Sequence, residues 1–447
     1  MESKQNETGG RNLSTNKVRA LIMKRKLLKQ TRNEWRSNLW LAIELLIVST
    51  VVWYICDYLY CISVTLTEPS GFTTERTYRL TLGQLSGDSP RFVDYGEDAA
   101  QKNAEDLAAV YDLIKECPEV EAASISAYAE PFNTSYMGNT ATRVSDSLEF
   151  GVRCTYLTPG HIKVFDYQPV DPAMTQDDLV RLLSEGKVLL TDFNPDNPII
   201  SRHFSKRVTP AELIGSRLTL DDETYTVGAL AQPIKRNVYE SKDRDIVLLQ
   251  PLQETNPLAL AEGEYINIRL RPGTEKSFLE SFASDRESKY RRANTYISDI
   301  KSYNELDRIT NHHETVTNRK FIACMVFMLT CVFLGLFGTF WFRTRQRVSE
   351  IAIRKVNGAS NRSIFGRLVS EGLLLLVIVT PIAVVLDWLI CSYEFTVYFR
   401  GAYFETWRFV ATATIAFALL ALMIVAGIWY PARKAMKIDP AIALKDE

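Results

Sequence analysis

The stretch RTRQRVSEIAIRKVNGASNRSIFGRLVSE, Arg343 to Glu371, decides how the rest of the chain is read. It is short and strongly basic. It lies between two long apolar runs, Phe321–Phe342 and Leu373–Ile390. Two further runs of the same kind are Leu39–Val64 and Phe409–Tyr430. About twenty apolar residues cross a bilayer core of roughly 30 Å at 1.5 Å per residue, so all four read as membrane helices. Trp and Tyr gather near several of their ends, where amphipathic rings favour the interface. The first run begins far from the start and no A-x-A cleavage site follows it, so it reads as a signal anchor.

Lys and Arg placement sets the expected orientation. Basic residues crowd before the first run (Lys17 to Arg36), between the second and third (Arg343 to Arg367), and after the fourth (Arg433, Lys434, Lys437). The positive-inside tendency puts all three segments, and both termini, in the cytoplasm. The link Cys391–Arg408 and the large region Thr65–Arg319 then lie outside. The expected fold class is an α-helical membrane protein with four transmembrane helices and a large extracytoplasmic α+β domain between helices 1 and 2. The expected segments are 1–38, cytoplasmic; 39–64, helix 1; 65–319, the external domain with a stalk; and 320–447, the remaining membrane part. Residues 320–447 carry helices at 321–342, 373–390 and 409–430 and a cytoplasmic loop at 343–371.

Composition excludes several classes. The 447 residues carry a net charge of -1, with no general pull towards nucleic acid. No P-loop, GxSxG or HExxH pattern occurs, and the four histidines suggest no triad. His312 and His313 are adjacent and point to different helix faces, a poor geometry for a shared metal. No catalysis, cofactor or metal is expected. Of seven cysteines, five lie in or beside apolar runs; Cys117 and Cys154 alone lie in the middle region and could pair in an oxidising compartment.

Residues 1–16 are polar and expected to be disordered. Residues 17–37 read as a basic amphipathic helix on the inner membrane surface, or as an ordinary basic flank that only satisfies topology. Glu44, Asp57 and Asp387 fall in or near the membrane runs. They either face a helix interface or wet cavity, or snorkel to the interface or pair with a basic neighbour.

In the external region, TTERTYRLTLG alternates like a strand, and Ala99–Glu116 places Leu107, Val110, Tyr111 and Ile114 at helical spacing. VEAASISAY, FGVRCTYLTPGHIKVFDY and KVLLTDF read as strand and turn pieces. Arg217–Leu230 reads as a hairpin about Asp221-Asp222-Glu223, and Glu264–Leu270 as another strand. Thr274 is expected to cap a helix with Glu275 in its first turn. From Tyr303 the helical spacing of Leu306, Ile309, His313 and Val316 runs into the second apolar run without Pro or Gly, predicting a continuous stalk.

Within the opening stretch, Val348, Ile351, Ala352 and Val356 form one predicted apolar face. Asn357-Gly358 supplies a stop, and Ser360 can cap a second helix bearing Ile364, Phe365, Leu368 and Val369. Periodicity alone leaves two readings open: a helix pair that docks in a partner's groove, or a membrane-surface hairpin without a partner.

Glu350–Ser360, EIAIRKVNGAS, resembles the signature of FtsX/MacB-type ABC transporter permeases, with Ala352 where a Gly is usual. Glu371 is similar to the acidic residue that opens the family's third span. The tail from Pro431, PARKAMKIDPAIALK, resembles the family ending. RCTYLTPGHIKVFDYQPV and IGSRLTLDDETYTVGALAQPI resemble the MacB-type periplasmic core, although the usual Gly-Arg after the first is missing. The resemblance implies a type VII permease of the bacterial inner membrane that does not hydrolyse ATP. Its implied partners are a separate ABC ATPase chain, a second permease copy or homologue, the lipid membrane, and, for efflux, a periplasmic adaptor. It implies ATPase coupling through Glu350, Ile351, Ile353, Arg354, Lys355, Gly358 and Ala359. The implied function is mechanotransmission for efflux or extrusion of a periplasmic or membrane substrate. The alternative is a regulatory permease that activates a periplasmic partner such as a cell-wall hydrolase. A membrane-anchored receptor without an ATPase is a third, unrelated class.

Overall fold

The computed structural model describes residues 35–133, 135–242, 244–392 and 406–437. The expected surface helix ahead of residue 35, most of the Cys391–Arg408 link and the tail motif beyond Lys437 lie outside them. The chain forms two compact units. One comprises residues 61–318 with 398–403; the other comprises residues 1–60, 319–397 and 404–447.

The 61–318 unit is built on eleven strands. In chain order they are β1 Thr77–Gln84, β2 Val120–Ala127, β3 Gly138–Arg143, β4 Leu148–Leu157, β5 Val188–Thr191, β6 Arg217–Leu220, β7 Glu223–Ala231, β8 Val247–Pro251, β9 Tyr265–Leu270, β10 Arg291–Arg292 and β11 Thr295–Ser302. The order β10-β11-β1-β9-β2 forms an antiparallel sheet. The order β4-β3-β6-β7-β5-β8 then closes on itself, because β8 pairs in parallel with β4. Closure removes the free edge that β8 would otherwise expose.

Each half has its own core. In the open half, Leu107, Val110, Tyr111 and Ile114 of the Ala99–Lys115 helix pack with Phe278 and Phe282 against Leu80, Ile125, Ile266 and Ile268. In the closed half, Phe150, Val152, Cys154, Val188, Leu190, Leu218 and Leu248 fill the interior. A third cluster contains Leu157, Phe165, Leu189, Leu249 and Tyr303. Val188 and Leu190 thus face one core and Leu189 another, which explains the unbroken apolar run VLLT. A strand buried on both faces has no polar side to alternate. The β6–β7 hairpin turns on Asp221 and Asp222, both at positive φ (44° and 69°), the conformation of a two-residue turn that matches strand twist.

Two expectations are corrected. Thr274 does stand before the Glu275–Lys289 helix, but its side chain does not cap it. With Thr274 in a helix-like conformation, its hydroxyl donates instead to the Arg271 and Glu119 carbonyls. The continuous stalk is also interrupted. One helix spans Tyr303–Thr310 and a second begins at His312. Between them Asn311 donates its side-chain amide to Asp307 at 2.6 Å while Tyr303 and Leu306 stay in the domain core. Cys117 and Cys154 are both buried free thiols, in separate cores.

Four helices are long and apolar enough to cross a membrane, within Trp35–Thr67, His312–Gln346, Asn361–Ser392 and Thr406–Lys437, and the other unit holds all of them except residues 61–67 and 312–318. Each continues past its apolar run because helical hydrogen bonding does not stop where hydropathy does. The fourth helix carries Thr412, Ala416, Leu420, Ile424, Ile428 and Ala432 buried at every fourth residue. Such a ridge packs into the grooves of its neighbours. At Gly372 of the third helix an added Cβ would meet Ile424 Cγ2 at 2.8 Å, so a side chain there would force the third and fourth helices apart.

Candidate functional site at the basic helix

The Val348–Val356 helix stands between the second and third long helices. Arg347 occupies its N-cap position, and the helix ends in a Schellman turn. Gly358 N–H donates to the Lys355 carbonyl at 2.9 Å, and Ala359 N–H to the Arg354 carbonyl at 3.0 Å. Gly358 sits at φ +82°, which explains glycine here: a side chain would strain that conformation. Ser360 Oγ accepts from Ser363 N–H at 3.3 Å and starts the next helix, as its position predicts.

The helix has two distinct apolar sides. Ile351 and Ala352 are each only 4% exposed; Ile351 packs with Ile364 and Ala435 in a small core of this unit. Ile353 and Val356 are 50% and 67% exposed. The face expected from periodicity is therefore divided. Val348, Ile351 and Ala352 turn inward, while Val356, at the last turn, faces out beside Ile353.

The charges form a chain. Glu350 accepts from Arg354 at 2.7 Å and lies 3.9 Å from Arg367. Arg367 reaches Glu371 at 3.6 Å, and Glu371 also pairs with Arg347. Lys355 Nζ donates to the Met436 carbonyl at 2.5 Å, satisfying an acceptor at the end of the fourth helix. Thus Arg347, Glu350, Arg354, Lys355, Arg367 and Glu371 hold the helix in place. Of the seven sequence-predicted residues, Ile353 and Gly358 are the most open to a partner, Glu350, Arg354, Lys355 and Ala359 are partly covered, and Ile351 is internal.

Two of the acidic residues in the long helices, Asp57 and Glu44, are partnered across helices. Arg408 donates from Nε to Asp57 Oδ1 at 2.9 Å and from Nη2 to Oδ2 at 2.5 Å, and both side chains are 6% exposed. This is pairing with a basic residue distant in sequence, not snorkelling. Thr339 Oγ1 donates to Glu44 at 3.1 Å. Asp387 lines a cavity of about 30 Å³ with Ser49 and Trp53.

A second site escaped the sequence reading. Within the 61–318 unit, buried Lys235 donates to the Thr65 carbonyl at 2.5 Å and the Glu68 carbonyl at 3.2 Å, and lies 3.6 Å from the Glu68 carboxylate. Burial lowers the Lys235 pKa, and the Glu68 charge opposes that shift. Four residues on, Tyr239 bonds to Thr315 Oγ1 at 2.7 Å. Thr65 lies in the last turn of the first long helix and Thr315 in the first turn of the second. One loop therefore holds residues 65, 68 and 315, all within the 61–318 unit. Its polar composition, PIKRNVYESK, carries no periodic signal that could have announced this.

His161 is fully buried, 3.1 Å from Ser124 Oγ, and desolvation pushes its pKa down to about 3. It is a neutral core residue. Among the described residues no group of three His, Cys, Asp or Glu side chains could hold a metal ion.

Residues 322–440 match the FtsX-like permease C-terminal family. The matched part includes the basic helix and the last three of the four long helices. No curated protein matches the chain. The periplasmic region of MacB from Actinobacillus actinomycetemcomitans aligns at 12% identity and TM-score 0.31, covering 56% of this chain and 98% of that one. The extracellular domain of the noncanonic ABC-type transporter YknZ from Gram-positive bacteria aligns at 11% identity and TM-score 0.28, covering 49% of this chain and 100% of that one.

Proposed function

We propose that this chain is the membrane subunit of an ABC transporter of the bacterial inner membrane, moved by a separate ATPase that docks on the Val348–Val356 helix. The observation that carries the reading is the division of that helix. Inside the stretch that matches the FtsX-like permease C-terminal family, Ile351 and Ala352 fix the helix from within and Ile353 and Val356 remain exposed. An apolar pair beside charged groups on a braced helix suits docking in a groove. The absence of a P-loop in the sequence supports placing hydrolysis on another chain.

In this reading the basic helix is cytoplasmic, the 61–318 unit lies outside, and both termini are inside, as the Lys and Arg distribution supports. Motion of the helices would reach the 61–318 unit along the chain at residues 65 and 315, which its Lys235–Tyr239 loop holds. A second permease copy completes the assembly; the exposed apolar residues of the second helix, such as Val326, Phe327 and Leu334, leave surface for it and for lipid. The work performed is efflux or extrusion by mechanical movement. Co-expression with the ABC ATPase encoded nearest to it tests the docking. Ile353→Asp with Val356→Asp should abolish co-purification and permease-dependent ATPase stimulation, while unchanged co-purification would refute it.

A further inference from the structure

At the same end of the long helices lies a cavity of about 300 Å³. Its lining includes Trp341 and Arg345 from the second helix, Val348 from the basic helix, and Pro431, Lys434 and Ala435 from the fourth. Trp341 stacks on Tyr430 with centroids 5.6 Å apart. Two cations approach its ring, Arg345 at 5.7 Å and Lys434 at 5.2 Å. Neither forms an ion pair among the described residues, and no carboxylate lines the cavity. One turn away on the fourth helix, Arg433 lies 5.6 Å from the Trp429 ring.

We propose that this cavity binds the phosphodiester headgroup of an anionic phospholipid. Depth selects the occupant. Trp341 closes the apolar run Phe321–Phe342, and Pro431 directly follows the run Phe409–Tyr430. With the helices spanning a bilayer, the cavity sits at headgroup level, where basic pockets between helices recognise lipid phosphates. Two cations with no acidic counterpart favour a net negative headgroup over a zwitterionic one, whose own amine balances its phosphate. Aromatic rings supply the amphipathic wall that interfacial ligands require. The occupant would touch Val348 and Ala435, and both also belong to the core that seats Ile351. Lipid composition would thus act on the root of the basic helix.

The test is native mass spectrometry of the purified full chain, titrated separately with phosphatidylglycerol, phosphatidylcholine and inorganic phosphate. The expected result is retention of phosphatidylglycerol in preference to the other two. Arg345→Gln should weaken that retention about fivefold, and Arg345→Gln with Lys434→Gln roughly thirtyfold, at about a factor of five per basic residue. Both side chains are exposed, so the fold is not at risk. Arg319→Gln with Lys320→Gln, an equal charge change at the opposite end of the second helix, should leave retention unchanged. Equal retention of phosphatidylcholine, binding of inorganic phosphate alone, or the same loss in the control pair would each overturn the proposal.

Discussion

The basic helix and the Lys235–Tyr239 loop both meet the long helices, but they are finished differently. In the loop every stated polar group is answered inside the chain: Lys235 by two carbonyls and a carboxylate, Tyr239 by Thr315. In the basic helix only one side is answered. Ile351 has its core and Lys355 its carbonyl, yet Ile353 and Val356 face outward. A completed contact transmits a displacement; an incomplete one accepts a partner. The contrast separates an internal linkage from a docking surface, and substitutions can test it from each side.

The largest effect is expected at Ile351. Ile351→Asp places an unpaired charge in an apolar core, a change that costs above about 4 kcal/mol and should abolish folded protein in a detergent-solubilised thermal melt. Ile353→Asp, two residues away, should leave the melt within about 0.5 kcal/mol of the parent. Equal damage from both would erase the distinction between the two sides.

Next comes the ion pair. Asp57→Ala strands a buried guanidinium and should destabilise the four-helix unit by about 3–5 kcal/mol. Adding Arg408→Met should recover most of that loss, as measured by thermal unfolding in the same detergent. A double variant no better than the single would show that the pair is not the source of the cost.

Smaller again is the loop. Lys235→Met leaves the Thr65 carbonyl and Glu68 without their donor, at about 1–3 kcal/mol. Hydrogen exchange should rise at residues 63–70 and stay unchanged in the basic helix. Uniform change across the chain would argue against a local linkage.

His161 gives a pH dependence. Its folded pKa of about 3 lies below the unfolded value of about 6.5, so the unfolded chain binds more protons between them. Stability from this group is fully present above about pH 6.5 and is lost as pH falls towards 3. His161→Gln should flatten the acid limb of stability against pH; an unaltered limb would assign it to other groups.

Much of this was legible in the sequence. Long apolar runs, the Asp221-Asp222 turn and the Asn357-Gly358 stop each express a strong local preference: bilayer-length hydropathy, positive φ and the left-handed C-cap. What stayed hidden was set by tertiary context. Periodicity placed Val356 with Ile351, but Ile364 and Ala435 cover only the latter. Asp57 could be seen as costly, yet its partner Arg408 lies 351 positions away. The break at Asn311 has no Pro or Gly to mark it. The closure of β8 on β4 pairs Arg153 with Val247, far apart in the chain, and no local pattern records it.

The central claim is that the outward side of the basic helix receives an ATPase while its inward side only holds the fold. Affinity purification of the tagged chain, co-expressed with its neighbouring ABC ATPase, tests this directly when Ile353→Asp/Val356→Asp is compared with the parent. The account predicts a folded variant with an unchanged melt and no bound ATPase. A folded variant that still retains the ATPase at the parental ratio would contradict it.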